Sequence, residues 1–300
     1  MPVALKRLAA AVVTGLSQKA RRNRERYWRG STGLRILLLH AMNDAELGRF
    51  RRVVDWCDDR FDRATPADVD DLIAGRFRPG PRDKLLWTFD DGHERDFIAA
   101  EWLARRDIQA LFFVIPSYID RSVRAFLSHH AERGVAAFDL AQGEDHDAVR
   151  GLSRDQLREM AGMGHRIGAH NFAHRDLGRL HEPADLEYEI DRALDSVSSI
   201  VGTECTDFAW AWGDLHHLSP QAAQHLRRRC SAVYSSVRGL NVPGVSPAFL
   251  LRDAIYPEGF VTASKMFIDG RADHLWEAKR DKLLELCGSV GGTLDDGNGI

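Results

Sequence analysis

The sequence predicts an α/β protein, a single barrel built on a parallel sheet, and three observations carry that reading. Short apolar runs alternate with stretches of helical periodicity, several of those runs stop at polar residues, and no linker, repeat or low-complexity tract divides the chain. Strand–helix–strand alternation implies parallel strands joined by crossover helices. Three hundred residues, long for one average domain, suit one α/β barrel. With 44% hydrophobic and 28% charged residues the chain can bury a sizeable core, which excludes disordered, collagen-like and disulfide-dense architectures.

The elements follow in order. Residues 34–40, after Gly30 and Gly33, form an apolar run of strand length that ends at His40. Residues 46–75 place Trp56, Phe61 and Leu72 at helical spacing, before Arg78-Pro79-Gly80-Pro81-Arg82 breaks the chain. Residues 84–89 read as a second buried strand that stops at Asp90-Asp91-Gly92, and a helix through Phe97, Ala100 and Leu103 follows. Residues 110–115 are the third apolar run. The irregular stretch 116–151, with His129, His130 and His146, reads as a loop insertion with solvated histidines beside a mouth. Ser153 and Gln156 make a capping box that opens a helix. Residues 164–170 are a short strand ending in another polar cluster. Residues 183–201 are the clearest helix, with Leu186, Ile190, Leu194 and Val197 on one stripe. Residues 206–212 and 232–236 supply further strands. The predicted division is a basic N-terminal extension over 1–33, read as a solvated, frayed helix, then a barrel over 34–275 and a C-terminal helix with tail over 276–300.

A net charge of −3 offers no case for a nucleic-acid partner. Residues 1–30 nevertheless hold eight Lys or Arg against the single acid Glu25, so an acidic body carries a basic leader. The leader's apolar patch, residues 8–13, is short for a signal peptide and runs on toward arginines instead of a cleavage site. No run of about 18 apolar residues occurs. The expectation is a cytoplasmic protein, with peripheral contact on the inner membrane face through the basic N-terminus as its one membrane option. Four widely spaced cysteines without a Cys-x-x-Cys pair fit buried thiols in a reducing compartment.

Strands that end in polar residues put those residues at the carboxyl rim of a parallel sheet, where α/β enzymes keep their sites. Three such ends stand out: His40, the pair Asp90-Asp91, and His170 with His174. Two adjacent carboxylates closing an apolar strand need a cation nearby to offset burial. His170 and His174, four apart, converge on one ion if the segment turns helically. A carboxylate with two imidazoles is a ligand set for zinc or another divalent ion that leaves positions open for water and substrate.

Thr88-Phe89-Asp90-Asp91-Gly92 followed by His170-Asn171-Phe172-Ala173-His174 resembles the first two motifs of the polysaccharide deacetylases (carbohydrate esterase family 4, the NodB-homology domain). Phe208-Ala209-Trp210-Ala211-Trp212-Gly213 is similar to the third block of that family, and Leu251-Arg252 to the arginine that closes the next strand in one branch. The resemblance spans residues 34–275. It implies a distorted (β/α)7 barrel and metal-dependent removal of acetyl groups from an amino sugar or another acetylated saccharide. By position it assigns Asp91, His170 and His174 to a divalent metal, most simply zinc, and Asp90 to the general base. A backbone N–H of the Ala211–Trp212 segment would help hold the oxyanion.

Three departures from the family pattern matter. Ala209 and Ala211 stand where an Arg and a Pro are common, so Arg252 becomes the candidate for orienting the base. No Leu-x-His motif follows residue 240, where His274 is the one histidine. His40, where relatives write Tyr-His, is the preferred rim histidine for the general acid or a substrate contact, with His216 and His217 as looser candidates. His93 reads as a substrate contact or a helix cap, Trp87 as core, and Trp210 and Trp212 as core or a sugar platform. Two other readings stay open: hydrolysis of a different amide or cyclic amide C–N bond, and a saccharide-binding barrel without turnover.

Overall fold

A computed structural model describes residues 18–133, 145–244, 249–256 and 261–287. Strands β1 (Leu34–Leu39), β2 (Asp62–Arg63), β3 (Lys84–Phe89), β4 (Ala110–Val114), β5 (Arg166–Ala169), β6 (Asp207–Ala209), β7 (Ala232–Tyr234) and β8 (Asp253–Ala254) make one sheet. Their spatial order is β7-β6-β5-β4-β3-β1-β8, with β2 beside β3 off that path, and every pairing is parallel. The sheet curls into a half-barrel ringed by helices, as the α/β reading requires. Its two edges are joined by the segment entering β8: Leu250 bridges to Tyr234 of β7, while β8 itself lies on β1.

Burial explains why these runs are strands. β1 (LRILLL) and β4 (ALFFV) are buried along their whole length, as strands of a parallel sheet covered on both faces must be. Alternate side chains then part to opposite faces. Ile36, Leu86, Leu111, Phe113 and Tyr234 fill the inside of the curl. Leu37, Trp87, Phe89 and Phe112 face outward under the helices, where Phe50 meets Trp87 edge-on at 5.1 Å and Phe89 stacks on Phe112 at 4.7 Å. Trp87 is core, as expected. The inward set continues through Thr88 to Asp90, whose N–H still bonds Leu39 O at 3.0 Å. The sheet pleat therefore aims Asp90 into the mouth of the curl.

The helices are α1 (Gln18–Tyr27), α2 (Asp44–Asp58), α3 (Pro66–Ile73), α4 (Asp96–Ala104), α5 (Val123–His129), α6 (Arg154–Gly162), α7 (Pro183–Leu186), α8 (Arg192–Val201), α9 (Pro220–Arg229), α10 (Val261–Ile268) and α11 (Glu277–Cys287). The Ser153–Gln156 box caps α6 as predicted, and an Asn43–Glu46 box caps α2.

Four expectations need correction. Residues 46–75 are two helices, α2 and α3, separated where the chain pairs briefly with β3 as β2. The stretch 116–151 contains α5, while 134–144 lie outside the described residues. Within it His130 is buried against Phe126, ring centres 5.0 Å apart, and is not solvated. The helix over 183–201 is interrupted by a π turn, Glu187–Asp191, between α7 and α8. Finally, the described part of the basic extension is packed into the body. Trp28 is 3% exposed and donates to Asp273, Asn23 donates to Gly270 O at 2.7 Å, and Arg24 pairs with Asp83. The apolar patch at 8–13 lies outside the described residues.

Candidate active site

The rim is assembled by abrupt changes of backbone hand. Asp90 ends the β3 ladder, and then Asp91 (φ 78°) and Gly92 (φ 72°) both turn left-handed. Gly92 is required there, since a Cβ would lie 2.8 Å from the Val114 side chain. The reversal takes the Asp91 carboxylate off the outward face that its place in the pleat would dictate. Beyond β5, Asn171 (φ 50°) and His174 (φ 57°) do the same, as does Trp212 (φ 69°) beyond β6. Four of the seven described non-glycine residues with positive φ thus gather at one mouth. Each costs about 1–3 kcal/mol and persists only where its surroundings enforce it.

His170 and His174 converge without a helix, contrary to the condition set by their spacing. Their segment is an irregular loop in which the Asn171 side chain donates to Arg175 O (2.7 Å) and accepts from Ala211 N (3.2 Å). The His170 and His174 Nε2 atoms lie 3.4 and 3.6 Å from Asp91 Oδ1. Ligand atoms of the three residues sit within 4.8 Å of one another, the one such His, Cys, Asp or Glu cluster among the described residues. His170 Nδ1 is 2.8 Å from Ala209 O. A carbonyl can only accept, so Nδ1 carries a proton, and Nε2 is the ring atom turned to Asp91.

Electrostatics suit a cation. Burial would raise the Asp91 carboxyl, but the imidazoles around it, His170 first, hold it well below the usual carboxylate range. Burial pushes the His174 imidazole down to about 3, with repulsion from His170 and His40 adding to it, so His174 is neutral and able to ligate. His170 is raised despite its burial by Asp90 and Asp91. The three residues fit a divalent ion by donor type, spacing and the fixed His170 tautomer.

Asp90 has a different partner. Both oxygens are held by Arg252, at 2.7 Å (Nη1–Oδ1) and 2.8 Å (Nη2–Oδ2). Arg252 is fully buried and also donates to Ser235 O (2.8 Å) and Thr88 Oγ1 (3.2 Å). The structure therefore brings Asp90, Arg252, Asp91, His170 and His174 together. His40 stands exposed at the end of β1, close enough for its charge to act on Asp91. His217 lies 3.0 Å from Asp176 Oδ2, with its ring 5.7 Å from that of Trp212. His216 is mostly exposed, and His274 sits against Lys19 of α1, 3.4 Å away. His93 is a cap: its Nδ1 accepts from Arg95 N (3.1 Å) and its N–H donates to Asp96 (3.0 Å) at the start of α4. Trp210 is buried core, whereas Trp212 is 39% exposed with its ring 5.0 Å from that of His174. Asn171 and Thr88 were missed as functional positions, although both lie inside the motif blocks.

A curled parallel sheet with an Asp–His–His cluster and a separate Arg-held carboxylate at its carboxyl rim defines a hydrolase-type site. The family model for polysaccharide deacetylases matches residues 78–230, a little over half of the chain, and the chain belongs to that family. The fold is similar to the deacetylase PplD of Streptococcus pyogenes solved with acetate, at 18% identity and TM-score 0.58, covering 79% of this chain and 99% of that one. IcaB of Ammonifex degensii matches at 21% identity and TM-score 0.56, covering 79% and 97%. A de-N-acetylase of Aggregatibacter actinomycetemcomitans matches at 16% identity and TM-score 0.57, covering 78% and 99%. No curated protein sequence matches the chain.

Proposed function

We propose that this protein is a metal-dependent deacetylase that removes acetyl groups from an acetylated amino sugar or saccharide, with zinc as its ion. The observation that carries the reading is the division of labour between adjacent carboxylates. Asp91 faces two imidazoles, while Asp90 gives both its oxygens to Arg252. A binding site alone has no use for a second buried carboxylate so oriented. A divalent ion on Asp91, His170 and His174 supplies Lewis-acid polarisation of an acyl carbonyl and lowers the pKa of water.

The chain's own residues do the rest. Asp90, fixed in orientation by two charge-assisted hydrogen bonds, takes the proton of the attacking water. Ala211 N is committed to Asn171, so the Trp212 N–H is the amide which that segment offers to a developing oxyanion. His40 is positioned at the rim to protonate the leaving group or contact the sugar. The exposed Trp212 ring beside His174 offers a face to a saccharide. The family and the acetate-bound relative of the same fold support acetyl as the group removed.

The test is acetate release from a panel of acetylated mono- and oligosaccharides. Activity should vanish on chelation and return with Zn²⁺, and Asp90→Asn should lower kcat by about 10²–10⁴-fold without loss of bound metal. Turnover of cyclic amides with no acetate from any saccharide would replace this reading with the other C–N hydrolase.

A further inference from the structure

The π turn at Glu187–Asp191 lies directly behind the histidine loop, and its middle residue reaches into that loop three times. Glu189 O accepts from Phe172 N at 2.9 Å. Its carboxylate Oε2 accepts from Ala173 N at 3.0 Å and, at longer range, from Arg175 N at 3.5 Å. Glu189 is fully buried, so its carboxylate is closed off from solvent. A continuous α-helix over 183–201 would carry residue 189 about 100° further round for each residue gained or lost. The widened turn is what lets one residue present both its carbonyl and its side chain to the same loop. Of the amides it holds, those of residues 172 and 173 lie between the two histidines, and those of 173 and 175 flank His174. His174 and Asn171 are both left-handed, a hand that costs the histidine more than the asparagine and that the surrounding contacts hold in place.

We propose that Glu189 is a positioning residue for the metal centre, setting the separation of the His170 and His174 imidazoles and hence the affinity for the ion. The inference rests on reading Asp91, His170 and His174 as the metal ligands. Outer partners of metal ligands typically change affinity by about 10–100-fold when lost. The effect on the empty protein should be much smaller, because the loop's other anchors remain: Asn171 to Arg175 O, and the Ser117 N–H and hydroxyl to Phe172 O.

The experiment titrates the full-length apoprotein with Zn²⁺ against a chromophoric chelator, for wild type, Glu189→Gln and Glu189→Ala. The Co²⁺ absorption spectrum and the apoprotein Tm are recorded in parallel. Glu189→Ala should weaken Zn²⁺ about 10–100-fold and shift the Co²⁺ bands. Glu189→Gln, which keeps one acceptor oxygen and the backbone bond, should fall between it and wild type. Wild-type affinity and an unchanged Co²⁺ spectrum in folded Glu189→Gln and Glu189→Ala would overturn the proposal, as would a fall in apoprotein Tm with no change in affinity. If Glu189→Ala fails to fold, Glu189→Gln decides alone. A wild-type protein that binds neither ion would instead sink the metal-site reading itself.

Discussion

Two buried charge clusters lie at opposite ends of β1, and they are built differently. At the start of the strand Arg35 pairs with Asp253 and with Asp273 (3.1 Å), and Arg238 reaches Asp253 at 3.5 Å. Trp28 Nε1 and Arg280 close the same cluster from α1 and α11, on Asp273 Oδ2 and Asp273 O. Burial alone would lower Arg35, but Asp273 and Asp253 more than offset it and raise it. Arg35 and Arg238 meet Asp253 and Asp273 there, two charges against two, while Arg280 lies over the Tyr27 and Trp28 rings. At the other end the Asp91 contacts to the two imidazoles, 3.4 and 3.6 Å, exceed normal hydrogen-bond length, and one imidazole is neutral. The first cluster neutralises itself and ties the chain ends to the sheet. The second leaves a gap between donors that a cation completes. Buried charge is thus no signature of function by itself; the spacing of its partners is.

The Asp90–Arg252 pair tests that distinction most severely, because it stands at the functional end yet is paired like the structural one. Arg252→Gln leaves a buried carboxylate without its bidentate partner, which costs about 3–5 kcal/mol. It should also lower kcat/KM for acetate release by about 10²-fold or more, since the base loses its orientation. Zn²⁺ affinity should stay within a few-fold of wild type, because Arg252 touches none of the three ligands. Denaturant unfolding, steady-state kinetics and metal titration on one preparation check all three. If affinity fell in step with activity, Asp90 and Asp91 would not be separate devices.

The self-neutralising end should respond in the opposite sense. Trp28→Ala removes a buried ring and a donor to Asp273 and should lower stability by about 3 kcal/mol. Truncation past residue 28 should do at least as much. Zn²⁺ affinity and acetate release per folded molecule should remain at wild-type values at 25 °C. A change in either would couple the two ends and erase the contrast.

Legibility divides along the same line. Strands β1, β3 and β4 are apolar runs, and the polar residues that end β3 and the short β5 mark the rim, so Asp90, Asp91, His170 and His174 stand out without coordinates. The convergence of the histidines was readable, but the means was not. It depends on left-handed Asn171 and His174, held by groups just beyond β6 and in the π turn that no local periodicity displays. Arg252 lies 162 residues from Asp90, and only the family resemblance singled it out. The packing of α1 was hidden for a similar reason. Its charges suggested a solvated leader, whereas Asn23, Arg24 and Trp28 find partners at Gly270, Asp83 and Asp273, distant in the chain.

The smallest predicted effect comes from the fringe of the structural cluster, where charge balance is incomplete. Asp269, just after α10, has its carboxyl pushed up to about 6. Burial is the main cause, Arg271 opposes it, and Asp273 adds to it. The unfolded chain would titrate near 3.9. Between those values the folded state binds more protons than the unfolded one, so this group's contribution to stability falls as pH rises through the window. The penalty is absent below about pH 4 and complete above about pH 7. The Arg271 ion pair is retained and the side chain is 23% exposed, so solvent screening reduces it to about 1 kcal/mol. Asp269→Asn keeps an oxygen for Arg271 N and removes the charge, so it should match wild type at pH 4 and exceed it by that amount at pH 8. Urea unfolding at the two pH values measures the difference. Equal stability at both would mean that Arg271 neutralises Asp269 as fully as Arg35 neutralises Asp253, and that the closed cluster extends one residue further than the geometry indicates.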